Sequence, residues 1–456
     1  MATNYPQFMK VILLAAGRSQ RVKPIEDKNF LRFCGKYLIE HQIEAILKAG
    51  FKEFIVVAGK HNLLAIKNLL SILKKQHKNS AFAVALQKNL DQGMTGAVLA
   101  AKSKLKANES IMIISTNDVV DSKAYQIILE ASRNNNFDSY LLGKKVSSYF
   151  PGGYLKTNSK GEITQIIEKP GAGKEPSNLI NLVVHLHKNT KALYSYLKNT
   201  KSSRDDHYEV ALDQMIKDGI KIKAIPYDGY WQAIKYPWHI FEVAAYFFQK
   251  TLDQLSPKKR LSSNTKIAKS VTIKGEVIIE DGVRIFENAT IVGPAYLGKD
   301  SVVATNALVR ESYLGKNCVI GYNTEVARSF LGDEVWTHSN YIGDSLIGNN
   351  VSFGAGSITG NLRFDEGNIA VEIKGEKINS QKNKLGIITG NNIRVGVNTS
   401  FMPGIKIGSN SLIGAGLTIN QNIPENSFVS GKISLDIKEN RKKKLASRQV
   451  LHSKLK

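Results

Sequence analysis

Cysteine is nearly absent from this 456-residue chain, with Cys34 and Cys318 the only two. They stand far apart and in no metal-ligand spacing. That excludes a disulfide framework and a cysteine-based zinc site, and makes the reducing cytoplasm the expected compartment. Long apolar runs are missing too. No stretch approaches the roughly 18 residues a membrane span needs, and Met1-Ala2-Thr3-Asn4-Tyr5-Pro6 lacks a basic segment leading into an apolar one. Neither membrane contact nor export is expected. Acidic residues are in deficit: 63 Lys/Arg face 39 Asp/Glu, a net charge of +24. Residues 433–456 carry eight basic and two acidic side chains, so most of the excess is spread along the chain. Such a surplus suits nucleic acid or phosphorylated small molecules. No arginine-rich cluster with interleaved aromatics and no nucleic-acid-binding motif accompanies it, so phosphorylated substrates are the favoured reading.

What the chain has in quantity is glycine, 36 residues, and a six-residue beat in its C-terminal half. Ile273, Ile279, Ile285, Ile291, Leu297, Val303 and Val309 fall six apart, and so do Val395, Phe401, Ile407, Ile413 and Ile419. Shorter runs, Leu314-Ile320-Val326 and Ile347-Phe353-Thr359, keep the same step. Neither helical nor strand periodicity produces it. A left-handed parallel β-helix does: each triangular coil has three short strands, one aliphatic per strand points inward, and glycine relieves the corner. Such coils usually trimerise and place small-molecule sites in the grooves between subunits.

The N-terminal half alternates short apolar runs with helical spacing. Lys10–Ala15, Phe54–Ala58, Phe82–Leu86 and Ile111–Ser115 read as strands, and Ile39, Ile43, Ile46 and Leu47 lie on one helix face that Gly50 ends. That rhythm predicts an α/β, Rossmann-like, mostly parallel sheet, with ligands at the carboxyl ends of its strands. There the chain reads Leu14-Ala15-Ala16-Gly17-Arg18-Ser19-Gln20-Arg21, a backbone-rich turn with two cations that suits a polyphosphate. It is neither the GxGxxG fingerprint nor a P-loop.

Lys28-Asn29-Phe30-Leu31 and Gly35-Lys36-Tyr37-Leu38-Ile39-Glu40 follow. With them the sequence resembles the sugar-1-phosphate nucleotidylyltransferases, whose signature is L-A-x-G-x-G-x-R, a lysine seven residues on, then G-K-P-L-I-E. The resemblance implies that Leu14, Ala15, Ala16, Gly17, Gln87 and Gly93 bind the nucleotide, that Arg21 and Lys28 are catalytic phosphate neutralisers, and that Asp118 of Asn117-Asp118 holds Mg²⁺. Gly153, Glu168 of Glu168-Lys169-Pro170, and Asn181 would bind the sugar. Two departures stand out. Ser19 and Gln20 replace the family's Gly and Thr or Ser. The closing G-Y-W-x-D, whose aspartate is a second metal ligand, reads Gly229-Tyr230-Trp231-Gln232-Ala233. Asp228 lies on the wrong side of the tryptophan to replace it.

The β-helix beat is interrupted by Thr337-His338-Ser339-Asn340-Tyr341-Ile342-Gly343-Asp344 and Gly354-Ala355-Gly356-Ser357-Ile358-Thr359-Gly360-Asn361. This resembles the acetyltransferase half of the bifunctional enzymes that make UDP-N-acetylglucosamine, with H-x-x-Y-x-G-D and G-A-G-x-I-T-x-N. It implies His338 as general base, a role that neutral imidazole suits. Tyr341 would bind the sugar, and Ala355 and Asn361 acetyl-CoA. Lys374, Lys377 or Lys384 would hold the sugar's phosphate, Lys384 being placed in the sugar site. A basic residue expected near 327–328 is Ala327 or Arg328, Ser352 replaces an asparagine, and Leu362 a tyrosine.

The whole therefore predicts four regions: a nucleotidyltransferase-like domain over 1–250, a linker over 251–266 containing Ser256-Pro257-Lys258-Lys259-Arg260, a β-helix over 267–432, and a basic tail over 433–456. The expected substrates are a nucleoside triphosphate, a sugar 1-phosphate and acetyl-CoA, in a homotrimer. Ala233 leaves two alternatives open: acetyl transfer alone with a decayed nucleotidyl site, or a non-catalytic regulatory or assembly protein.

Overall fold

Val11, Ile12 and Leu13 are sealed from solvent, as are all four residues Ile111–Ile114. Runs this short and this continuously apolar pair as central parallel strands covered on both faces. In this computed structural model, which describes residues 9–133, 136–202, 206–255, 260–432, 434–441 and 447–454, Lys10–Leu14 lies between Glu53–Ala58 and Ile111–Ser115, parallel to both. Ala81–Leu86 extends that parallel half. Past Ile111–Ser115 the sheet turns: Leu179–His187 runs antiparallel to it and to Ser139–Lys145 and Gly153–Thr157. The sheet is mixed and mostly parallel. Leu179–His187 escapes a reading of apolar runs because His185 and His187, both fully buried, interrupt its aliphatics.

The six-residue beat forms the core of the second domain. Ile279, Ile285, Ile291, Leu297, Val303 and Val309 are each at most 2% exposed and stack inside a triangular prism of parallel strands. Asparagine is the commonest residue at the left-handed corners, as at Asn306, Asn317 and Asn398 with φ of 60°, 55° and 54°. Short polar side chains tolerate that conformation better than branched ones. Strand pairing begins at Arg260–Leu261, inside the stretch read as a linker, while the preceding helix His239–Leu252 ends on the fully buried Leu252. Ser256–Lys259 and parts of the basic tail lie outside the described residues. The tail carries one short helix, Arg448–His452.

One face of the prism is sealed by the first domain. Tyr296, Tyr313, Phe330 and Leu346 project from successive coils into a seam with Phe33, Phe247, Phe248 and Leu252. Ring centroids are 5.4 Å apart for Phe33–Phe330 and 5.7 Å for Phe248–Tyr313. Ion pairs Arg32–Asp333 (3.3 Å) and Lys382–Glu242 (2.7 Å) flank the seam. Between the coil strands Ile358–Thr359 and Ile388–Thr389 an antiparallel hairpin, Ala370–Ile373 with Glu376–Asn379, leaves the prism. Its Val371 and Ile373 pack in the same seam as Trp238 and Ile240. That hairpin carries a side chain from the second domain to the mouth of the first.

Candidate active site

At the carboxyl ends of the parallel strands lies a cleft of about 400 Å³. The chain arrives there at Gly17, and a buried amide network holds the turn in place. Asn29 Nδ2 and Asn62 Nδ2 both donate to the Ala15 carbonyl, at 3.0 and 2.9 Å, and both also donate to the carboxylate of Asp27. Ser19 adopts φ 54°, the left-handed geometry that explains a family preference for glycine, and its hydroxyl accepts the Lys28 backbone N–H. Gly17, Arg21, Lys28, Asp118, Gly153, Glu168 and Asn181 all line this one cleft. Leu14, Ala15, Ala16, Gln87 and Gly93 are outside its lining. Gln87 is buried, and its amide donates to the carbonyls of Asn89 and Gly93 at 3.0 and 2.9 Å, so it shapes the adjoining turn. Arg18 reaches across to Asp91 of that turn at 2.8 Å.

The Asn181 side of the cleft is built on a buried relay that sequence reasoning did not find. His185 Nε2 donates to Asn181 Oδ1 at 2.9 Å, while its Nδ1 meets the Tyr208 hydroxyl at 3.0 Å. That hydroxyl also meets His187 Nε2 (3.1 Å), whose Nδ1 meets Ser139 Oγ (2.8 Å). Burial holds the His185 imidazole neutral, its pKa well below the ordinary value, so one consistent proton pattern runs from Ser139 to Asn181. With its oxygen occupied, Asn181 presents its amide donors. Gly153 leaves space beside both groups: a Cβ there would lie 3.1 Å from Glu168 Oε2 and 3.4 Å from Asn181 Cβ.

The opposite side of the cleft, around Arg21 and Lys28, is dominated by cations. Lys28 Nζ donates to the Ile234 carbonyl at 2.9 Å, and burial pulls its pKa down to about 8 against the attraction of Asp118. Lys235, also lowered to about 8 by burial, donates to the Pro151 carbonyl and sits 4.1 Å from the centroid of the Phe150 ring. Lys374, at the hairpin turn from the β-helix, lines the same cleft. The sequence reading placed it with the acetyl-transfer phosphate; the hairpin, packed on the first domain, takes it here instead.

Asp118 fits the expected Mg²⁺ poorly. Its Oδ1 accepts from Trp231 Nε1 at 3.0 Å, and burial raises its pKa while Trp231, Lys235 and Lys28 oppose the rise. Directly opposite in the strand pair stands Ala233, which has no donor atom. Among the described residues no group of three or more His, Cys, Asp and Glu is arranged to hold a metal ion. One carboxylate already engaged by an indole and flanked by two ammoniums leaves the protein short of ligands for a divalent ion, which would depend on substrate phosphates and water for the rest.

On the β-helix, a second polar cluster forms around the buried Asp344. Arg328 donates to both oxygens of Asp344, at 2.7 and 2.7 Å, and Asn361 Nδ2 donates to Asp344 and to the Tyr341 hydroxyl, the latter at 3.1 Å. Of the two candidates for the basic residue the structure selects Arg328, since Ala327 is buried. Gly343 makes room for the Tyr341 ring, whose hydroxyl would be 2.6 Å from a Cβ there. Lys384 bridges to Leu362, next to Asn361. His338 is exposed at the opposite corner of the Tyr341 coil. Backbone bonds from Gly356 to Ser339 and from Asn398 to Ala355 stack Ala355 one coil above His338. Ala355 is likewise exposed. Arg328 and Asp344, present in the motif reading but given no role there, both occupy left-handed corners, φ 46° and 49°.

A cation-lined cleft on a mixed α/β sheet, fused to a β-helix with its own polar face, defines a nucleotidyltransferase with an appended acyltransferase-type domain. A nucleotidyl transferase family model matches residues 10–245, and a model of the hexapeptide repeat of succinyl-transferase matches residues 386–421. The chain is 33% identical over 427 residues to a bifunctional sugar-1-phosphate nucleotidylyltransferase/acetyltransferase of Sulfurisphaera tokodaii, covering 92% of this chain and 99% of that protein. It is 32% identical over 440 residues to the bifunctional protein GlmU of Methanococcus maripaludis strain C7, covering 95% and 100%. The chain belongs to this family of bifunctional sugar-1-phosphate nucleotidylyltransferase/acetyltransferases. A solved UDP-glucose pyrophosphorylase complexed with UDP-glucose superposes with a TM-score of 0.46 at 20% identity, covering 54% of this chain and 100% of that one.

Proposed function

We propose that the first domain joins a nucleoside triphosphate to a sugar 1-phosphate and that the β-helix transfers an acetyl group from acetyl-CoA to an amino sugar phosphate. In the first reaction an oxygen of the sugar phosphate attacks the α-phosphorus. The bond from that phosphorus to the bridging oxygen breaks, and pyrophosphate leaves with its electron pair. No proton need move, so the protein's task is positioning and charge neutralisation. Arg21, Lys28 and Lys235 supply the charge, and Asn181, Glu168 and the space at Gly153 receive the sugar. Magnesium is expected from the family, but no step of this reading runs through an ion at Asp118. In the second reaction the sugar amine attacks the thioester carbonyl, the C–S bond breaks and coenzyme A leaves. His338 takes the amine's proton and Asn361 and Ala355 face the acetyl donor. The β-helix is expected to assemble as a homotrimer with acetyl-transfer grooves between subunits. Cys34 and Cys318 are free thiols. Among the described residues no helix is long and apolar enough to cross a membrane.

The observation that carries this reading is the convergence of Arg21, Lys28, Asp118, Glu168 and Asn181, 160 positions apart in sequence, on one cleft. Its test is pyrophosphate release from a panel of nucleoside triphosphates with glucose-, mannose-, glucosamine- and N-acetylglucosamine 1-phosphates. Asp118→Ala is expected to abolish release and spare acetyl transfer, and His338→Ala to do the reverse. If both variants match wild type in both assays, the assignments fall.

A further inference from the structure

Trp231–Ala233 runs antiparallel to Asp118–Val120 with Ala233 registered on Asp118. Cross-strand partners hold their Cβ atoms about 5 Å apart on one face. A carboxylate at 233 would therefore stand beside Asp118 and share a divalent ion with it. Alanine removes that donor, and two positions later the chain supplies a cation to the same cleft. The Lys235 ammonium donates to the Pro151 carbonyl, lies 4.1 Å from the Phe150 ring centroid and would be 3.2 Å from a Cβ on Gly152. The intervening Ile234 carbonyl accepts from Lys28 Nζ at 2.9 Å, so one short segment fixes two ammoniums next to Asp118.

We propose that Lys235, together with Lys28, neutralises the substrate phosphates in place of a divalent ion shared between positions 118 and 233, so that nucleotidyl transfer here is independent of a protein-held metal. The inference rests on the transfer reading above. Two ammoniums carry the charge of one divalent ion and offer directed donors to phosphate oxygens. Asp118 then serves as the anion that holds them, fixed in turn by Trp231. The bond changes at phosphorus are those already given, and Lys235 neither gains nor loses a proton in them. The plainer role is a clamp on the loop at Pro151, which would leave metal affinity untouched.

The test uses Mn²⁺ alone as probe, followed by electron paramagnetic resonance, on the full chain. Wild type and Lys235→Met are expected to bind Mn²⁺ at least about 100-fold more weakly than the double variant Ala233→Asp/Lys235→Gly, an advantage that Asp118→Asn cancels. In the transfer assay wild type is expected to keep its rate in excess EDTA. Lys235→Met should lose about 100-fold there, and Lys235→Arg should retain most of it. Stoichiometric Mn²⁺ binding by wild type that Asp118→Asn removes, or loss of wild-type transfer in EDTA, overturns the proposal. If no substrate pair is turned over by any variant, the transfer reading fails, while the Mn²⁺ titration still decides what occupies the site.

Discussion

Replacing Lys28 with methionine is expected to make the protein more stable and less active at once. The ammonium is buried beside Lys235 and Arg21, and desolvation lowers its pKa from 10.5 to about 8 despite the nearby Asp118 and Asp27. In the unfolded chain the same group titrates normally. Between pH 8 and 10.5 the unfolded state therefore binds more protons, and stability rises with pH across that window. Below pH 8 the full cost of charging the buried group is present, about 3 kcal/mol for a pKa displaced from 10.5 to about 8. Methionine removes that cost and forfeits one hydrogen bond to the Ile234 carbonyl, worth about 1 kcal/mol. The net gain at pH 7 is about 2 kcal/mol, or about 4–8 °C in the melting temperature of a domain this size. By pH 10 most of the wild-type cost has been relieved, so the two proteins should converge. Scanning calorimetry at pH 7 and pH 10 measures both points, and pyrophosphate release should fall about 100-fold. A variant that melts lower than wild type at pH 7, or a difference that does not change with pH, refutes the reasoning.

Gly153→Ala places a Cβ 3.1 Å from Glu168 Oε2 and 3.4 Å from Asn181 Cβ, so kcat/KM for the sugar 1-phosphate should drop about 10-fold with the melting temperature nearly unchanged. Steady-state kinetics with the sugar phosphate varied checks it. Arg328→Met leaves the Asp344 carboxylate, whose side chain is 10% exposed, without its bidentate partner. A loss of about 2 kcal/mol in urea titration is expected, with acetyl transfer impaired and pyrophosphate release intact. Lys374→Ala removes an exposed cation from the cleft mouth, so KM for the phosphorylated substrates should rise about 5-fold at low ionic strength, and the effect should vanish near 0.5 M salt. A salt-independent effect would mean that Lys374 acts through hairpin packing.

The β-helix was legible because its rule is local. Every sixth residue points inward, so Leu297, Val303 and Val309 announce the prism without any knowledge of what surrounds it. The nucleotidyl cleft was legible wherever a motif keeps its residues close in sequence, as Gly17 through Lys28 do. What was not legible depends on which outward face meets a partner. Tyr296, Tyr313 and Phe330 each sit one residue before a buried leucine of the prism core (Leu297, Leu314, Leu331), at intervals of 17, and that periodic aromatic was the available signal for a sealed face. Lys235 left a trace as well, being a cation two residues after a missing carboxylate. Its meaning depends on the strand register that sets Ala233 against Asp118, which spacing alone does not reveal. The relay from Ser139 to Asn181 had no motif at all, since His185 and His187 read as interruptions of a strand.

The position of Lys374 bears on why the two domains share one chain. A tethered pair of independent enzymes would need only a linker between them. Here the helix His239–Leu252 is shared cover, with Phe247 and Phe248 packed in the seam that also takes Tyr313 and Phe330 from the β-helix. The hairpin Ala370–Asn379 adds nothing to the prism's stacked core. Its apolar residues face the first domain, and its turn ends at the nucleotidyl cleft. Three polar contacts at separate points of the seam, Arg32–Asp333, Glu242–Lys382 and Glu26–Ser409, oppose sliding between the halves. Apolar area at the seam supplies the affinity, and the polar contacts fix the register in which Lys374 can reach the cleft. The β-helix is thus part of the nucleotidyl site's structure, and cutting the chain between the domains would expose an aromatic face and remove one cation from the cleft at the same stroke.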